Sequence, residues 1–143
     1  MGYKWGDAFV EGNEGQIMTE PVAPHVVVID DYEAHLDVLV TYLERAGFTT
    51  TGFLRARDAL HYVLDHPPSL VVINLYMPEM DGIELSRRLH ASLPHVPLIG
   101  ITGSRDRRSN VYLKLLRDFG ARISLHKPVD SVTFVNAVRS ALA

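Results

Sequence analysis

The sequence of 143 residues contains no cysteine, which excludes disulfide bonds and thiolate chemistry and makes a reducing cytoplasm the compartment that we expect. It also lacks an apolar run of the roughly 20 residues that a membrane-spanning helix needs. No glycine-rich nucleotide-binding fingerprint occurs, and the seven histidines show no metal-binding spacing such as HExxH. The net charge of −3 is too small to indicate wholesale nucleic-acid binding. What remains is a compact single domain that is long enough to bury a sizeable core.

The N-terminal 24 residues differ in composition from the rest of the chain. They hold one lysine and four acidic residues, a net charge of −3, whereas the remaining 119 residues hold 13 basic and 13 acidic side chains. Residues 1–24 are rich in glycine and show no sustained apolar period, so we predict a flexible N-terminal extension or a cloning remnant. Docking of the aromatic residues Tyr3, Trp5 and Phe9 on a neighbouring surface is the alternative. We expect the folded domain to cover residues 25–143.

Strand-like and helix-like periods alternate from His25 onward. Short apolar runs, such as those at 25–29 and 70–75, are typical of strands that are buried on both faces. Apolar residues spaced by three and four, as between 36 and 43, predict the helices that follow them. Five such units predict an α/β protein with a doubly wound parallel sheet. Ligands of these sheets bind beyond the carboxyl ends of the strands, so the polar residues predicted there are the candidate site.

Four motifs stand at those strand ends, and together they are specific. They are Asp30-Asp31, the segment 74–82 with the sequence NLYMPEMDG, Thr102-Gly103, and Lys127-Pro128. In this combination and order they resemble the receiver domain of bacterial response regulators, over about residues 25–143. The resemblance implies a flavodoxin-like (βα)5 fold with the strand order 2-1-3-4-5.

The resemblance also implies roles for the residues at the strand ends. In that family an Asp at the position of Asn74 accepts a phosphoryl group from a histidine kinase. The Lys127 ammonium would pair with that group, and the Thr102 hydroxyl would hydrogen-bond to it. A Mg²⁺ ion would neutralise the phosphoryl oxygens. Its protein ligands would be Asp30, Asp31 and the backbone carbonyl of Tyr76.

Asn74 departs from the family pattern. An amide is a poor nucleophile and cannot form the acyl phosphate, so we do not expect phosphorylation at this position. The substitution also removes one negative charge from the metal pocket. A unit charge at ~4 Å and an effective dielectric constant near 20 contributes about 4 kcal/mol. We therefore expect Mg²⁺ binding to be weak or absent.

Two interpretations of Asn74 remain open. Either the residue is natural, and this is an atypical receiver that signals by binding alone, or it is an engineered Asp→Asn block in an ordinary receiver. Ser124 occupies a position where the family commonly has an aromatic residue, and the stretch from Thr102 to Gly120 is about one helical turn longer than usual. Neither feature would be introduced merely to block phosphorylation, so both favour natural divergence.

The predicted function is that of a stand-alone receiver-type signalling protein that acts by protein contact. We expect no output domain after the last predicted helix at residues 132–142, unless the chain is part of a longer protein. We expect the contact face on the fourth helix, the fifth strand and the fifth helix, where the candidate residues are Arg105, Arg108, Tyr112 and Ser124. The expected partner is a histidine kinase, another signalling protein or a second copy of the chain. Acidic residues are interspersed among the basic ones on this face, which indicates a solvated helix surface rather than a nucleic-acid site.

Two other kinds of chemistry have little support. Haloacid-dehalogenase-type phosphatases need a second Asp two residues after the nucleophilic Asp, and position 32 is Tyr here. We therefore do not expect an enzyme. Phosphohistidine chemistry is equally unsupported, because we expect most histidines on the surface and only His126, beside Lys127, near the pocket.

Overall fold

The computed structural model describes residues 9–11, 17–19, 23–103 and 107–143. Two short strands, β1 (Phe9–Glu11) and β2 (Ile17–Thr19), precede the strands of a parallel sheet. Those strands are β3 (His25–Ile29), β4 (Thr49–Phe53), β5 (Leu70–Asn74), β6 (Leu98–Thr102) and β7 (Ala121–His126). The sheet has the order β4-β3-β5-β6-β7. Counted from His25, this is the order 2-1-3-4-5, which confirms the predicted fold class.

Five helices connect or follow the parallel strands within the described residues. They are α1 (Glu33–Arg45), α2 (Ala56–Asp65), α3 (Gly82–Ser92), α4 (Arg107–Asp118) and α5 (Ser131–Leu142). The apolar faces of α1 and α5 pack on one side of the sheet, and those of α2, α3 and α4 pack on the other. None of the helices in the described part of the chain is long and apolar enough to cross a membrane.

The strands supply side chains to both layers because successive residues of a strand point to opposite faces. Val27 and Ile29 of β3 pack among α2, α3 and α4, whereas Val26 and Val28 pack against α1 and α5. All five residues of β5 are buried as well. This two-sided burial explains why the strands appear in the sequence as continuous apolar runs rather than as alternating patterns.

The two N-terminal strands form a small antiparallel pair in which Phe9 lies opposite Thr19 and Glu11 lies opposite Ile17. These strands are not predictable from the sequence, because three residues are too few to show a period. Tyr3 and Trp5 lie outside the described residues, so docking of the N-terminal aromatic residues stays a prediction.

Candidate functional site

The structure brings the predicted site residues together at the carboxyl edge of the sheet. Asp30 follows β3, Asn74 ends β5, Thr102 ends β6, and Lys127 follows β7. Parallel pairing aligns these ends: Asn74 lies opposite Ile101, and the Lys127 backbone N–H donates to the Thr102 carbonyl at 2.7 Å. Residues as far apart in sequence as Asp30 and Lys127 thus meet in one pocket.

Gly82 permits the close approach of α3 to the end of β5. A Cβ atom on Gly82 would lie 2.7 Å from the Asn74 carbonyl oxygen and 2.8 Å from the Leu75 Cα atom. The Gly82 N–H donates to the Leu75 carbonyl at 2.8 Å, and the Asp81 carboxylate caps α3 by accepting from the Glu84 N–H at 2.9 Å. Asp81-Gly82 thus opens α3, and this turn fixes the backbone beside Asn74.

Asp30 is the buried anion of the site. Its side chain is 1% exposed, and its Oδ1 atom accepts a hydrogen bond from the Tyr32 backbone N–H at 2.9 Å. The Oδ2 atom accepts from the Lys127 ammonium at 3.2 Å and from Nδ1 of His35. Burial raises the pKa of Asp30, but the hydrogen bonds from His35 and Tyr32 and the positive charge of Lys127 outweigh it, so the pKa lies below its ordinary value. Asp30 is therefore an ionised carboxylate whose charge is neutralised from within the chain.

The contact between His35 and Asp30 corrects the prediction that His126 is the only histidine near the pocket. The His35 side chain is 18% exposed and lies near the start of α1, five residues after Asp30. His126 itself is exposed at the end of β7. Sequence reasoning missed His35 because it searched for metal-binding pairs of histidines rather than for one histidine facing a carboxylate across the first turn of a helix.

Asn74 is 6% exposed, and its side-chain amide is fixed by two hydrogen bonds. The amide nitrogen donates to Oδ1 of Asp31 at 3.0 Å and to the backbone carbonyl of Tyr76 at 2.8 Å. The Lys127 ammonium pairs with Asp30, whereas Asp31 accepts its hydrogen bond from the Asn74 amide.

Thr102 and Lys127 complete the pocket. Thr102 is fully buried at the end of β6, and the Lys127 side chain is 24% exposed. The peptide bond between Lys127 and Pro128 is cis. The pocket therefore combines a buried hydroxyl, an ammonium group, two carboxylates and an amide.

The residues predicted for the interaction face are only partly described. Ser124 is half-buried on β7, opposite Gly100 of β6, and its Oγ atom has no hydrogen-bond partner in the described part of the chain. Arg108 and Tyr112 belong to α4, but their side chains lie outside what the structure describes, and Arg105 lies wholly outside the described residues. The contact role of this face stays a prediction.

Comparison with known proteins decides the family. A model of the response regulator receiver domain matches residues 26–139. The chain belongs to the response regulator receiver family. Receivers are signalling modules of two-component systems, so the resemblance found in the sequence is confirmed at this level.

Individual relatives of this receiver are distant. The polar-differentiation response regulator DivK of Brucella ovis is 24% identical over 119 residues, which cover 82% of this chain and 94% of that protein. The receiver domain of an HD domain-containing protein from Pseudomonas fluorescens Pf-5 has a TM-score of 0.77 at 27% identity, over 84% of this chain and 94% of that chain. The receiver domain of a histidine kinase from Syntrophus aciditrophicus has a TM-score of 0.76 at 28% identity, over 84% and 90%.

Receivers generally bind Mg²⁺ at the acidic phosphorylation site, but the residues of this pocket do not fit the ion. The oxygens of Asp31 and Tyr76 face the hydrogens of the Asn74 amide, and an amide NH₂ group is a donor only. The Asp30 carboxylate already accepts from Lys127 and His35. Among the described residues, no cluster of three acidic, histidine or cysteine side chains is arranged to hold a metal.

Proposed function

We propose that this chain is a receiver-type signalling protein that is not phosphorylated at Asn74 and acts through protein contact. The observation that carries the proposal is the chemistry of Asn74, which ends β5 at the acceptor position and commits its amide to Asp31 and Tyr76. Such an amide is uncharged, and its nitrogen lone pair is delocalised into the carbonyl group, so it is a poor nucleophile for attack on phosphorus. The module therefore signals without the acyl phosphate and performs no catalytic step.

Two further observations support this proposal. The Lys127 ammonium, which would otherwise be directed at a phosphoryl group, pairs with Asp30 at 3.2 Å. The match with DivK covers 94% of that protein, so a relative exists that consists of little more than this domain. Both favour a small module whose output is binding to another protein.

The partner that we propose is a histidine kinase or another two-component signalling protein. The proposed contact face is formed by α4, β7 and α5, and a homodimer through the same face is the second candidate. Val111 on α4 is 60% exposed, which makes it a suitable probe of this face. Val38 on α1 is 42% exposed and belongs to none of these three elements, so it serves as a matched control on another surface.

The phosphorylation part of the proposal is tested by intact mass after incubation with Mg²⁺ and acetyl phosphate. We expect the native chain to gain no phosphoryl mass. An Asn74→Asp variant measured beside it separates the two interpretations of Asn74. A gain by the variant alone means that the pocket is otherwise competent and favours an engineered block or a recent loss, whereas no gain by either means that the whole site has diverged. A phosphoryl adduct on the native chain would refute the proposal.

The contact part of the proposal is tested by sedimentation velocity and by binding to a purified histidine kinase. We expect Val111→Asp to weaken association at least tenfold and Val38→Asp to leave it unchanged, because a buried charge without a partner opposes an interface. A native chain that stays monomeric and binds no kinase, or equal effects of the two substitutions, would contradict the proposed face.

A further inference from the structure

The Asn74 amide nitrogen lies between two oxygens that belong to different parts of the chain. It is 3.0 Å from Oδ1 of Asp31, which follows β3, and 2.8 Å from the carbonyl oxygen of Tyr76, which follows β5. Both N–H groups are directed at oxygen atoms, one of them a carboxylate. The amide therefore joins the ends of two neighbouring strands through electropositive hydrogens, in the manner of a bridging cation.

The remaining acidic group of the pocket is also satisfied from within the chain. Both oxygens of Asp30 accept hydrogen bonds, Oδ1 from the Tyr32 backbone and Oδ2 from Lys127 and His35. With Asp30 at 1% exposure, these donors are not readily replaced by water. Both oxygens of Asp30, Oδ1 of Asp31 and the Tyr76 carbonyl oxygen thus already have protein donors.

We propose that the Asn74 side-chain amide takes the place of a divalent cation in this receiver and excludes the ion from the pocket. The inference goes beyond the proposed function, because it concerns metal binding rather than phosphoryl transfer. It also differs from the simple loss of one carboxylate charge. A missing charge weakens the attraction for Mg²⁺, whereas an amide in the cation's position must first be displaced from Asp31 and Tyr76.

Asn74→Ala separates these two explanations, because Asn and Ala carry the same charge. If the missing charge alone weakens metal binding, the Ala variant binds Mg²⁺ no better than the native chain. If the amide excludes the ion, its removal frees the Asp31 and Tyr76 oxygens and Mg²⁺ binding becomes tighter. We expect a gain of about tenfold or more, since each hydrogen bond to a charged group contributes about that factor to an equilibrium.

The experiment is a titration of the full chain with MgCl₂ at constant ionic strength, followed by the backbone amide resonances of Asp31 and Tyr76. We expect the native chain to show no saturable shift, Asn74→Ala to show one, and Asn74→Asp to bind most tightly. Asn136→Ala, a truncation of the same type at an exposed position of α5, should behave as the native chain does. Resonance dispersion shows whether each variant is folded, and Asn74→Ser serves as a second truncation if Asn74→Ala is not.

Two outcomes would overturn the inference. The first is that the native chain binds Mg²⁺ as tightly as Asn74→Asp does. The second is that Asn74→Asp binds Mg²⁺ more tightly than the native chain while the folded truncated variants do not. A phosphoryl adduct on the native chain refutes the proposed function but does not change the order of these metal affinities. The two proposals therefore fail separately.

Discussion

The substitution Asn74→Asp should destabilise the metal-free protein, and the structure indicates by how much. The amide that now donates to Asp31 at 3.0 Å and to Tyr76 at 2.8 Å would become a carboxylate that only accepts. Each of these hydrogen bonds contributes roughly 1 kcal/mol, and each turns into a contact between two acceptors. The side chain cannot turn freely to solvent, because position 74 is 6% exposed.

Repulsion between like charges adds to this loss. Two unit charges ~4 Å apart at an effective dielectric constant near 20 oppose folding by about 4 kcal/mol before relaxation. The Asp31 side chain is exposed and can rotate away, which relieves part of the repulsion. We therefore expect a net destabilisation of about 2–4 kcal/mol without metal.

The assay is equilibrium unfolding in urea followed by circular dichroism, with and without millimolar Mg²⁺. The added metal should restore most of the stability of Asn74→Asp and leave that of the native chain unchanged, because a ligand stabilises only the folded state that binds it. The matched control is Asn136→Asp, which makes the same chemical change on exposed α5 and should alter stability by no more than about 0.5 kcal/mol. Equal metal-free stability of Asn74→Asp and the native chain would refute the reasoning, and so would an equal loss in the control.

The remaining predictions concern the buried carboxylate and the glycine beside the pocket. The folded-state pKa of Asp30 lies below its unfolded value, so the ionised Asp30 carboxylate stabilises the folded protein. This stabilisation is fully present above the ordinary Asp pKa of about 3.9 and is lost as the pH falls through the folded-state pKa. The urea midpoint of the native chain should therefore fall towards that of Asp30→Asn as the pH is lowered from neutral to acidic values. A difference between the two midpoints that does not change with pH would contradict this. Gly82→Ala should cost roughly 1–3 kcal/mol, because its Cβ would meet the backbone of Asn74 and Leu75. Gly103→Ala, whose Cβ would lie 3.4 Å from the flexible Lys127 side chain, should cost less in the same unfolding assay.

Much of the fold was predictable because strands that are buried on both faces appear in the sequence as continuous apolar runs. The apolar run at 25–29 coincides with β3, and the spacing of Leu36, Leu39 and Leu43 identifies the buried face of α1. Element ends were less predictable. β7 begins at Ala121, beside an irregularity in the register between β6 and β7 near Leu98, and such an irregularity follows from strand pairing rather than from a local sequence pattern.

The candidate site was predictable as a set of positions but not as a set of contacts. Parallel strands bring their carboxyl ends to one edge, so the polar residues at those ends had to be neighbours. Which donor meets which acceptor depends on side-chain directions that no local pattern encodes. His35 reaches Asp30 only because of how α1 lies on the sheet, and Lys127, which the family resemblance assigned to a phosphoryl group, pairs with Asp30.

The sequence by itself determined the alternation of strands and helices along the chain from His25 onward, the family and the amide at position 74. These features follow from residue identity and from local periodicity. Only the tertiary structure decided what that amide does. Asp31 and Asn74 are 43 residues apart, and the pairing of β3 with β5 is what places the carboxylate within hydrogen-bond distance of the amide. Hydrogen bonds act over about 3 Å, so their partners are fixed only when the packed sheet and its turns have set every atom in place.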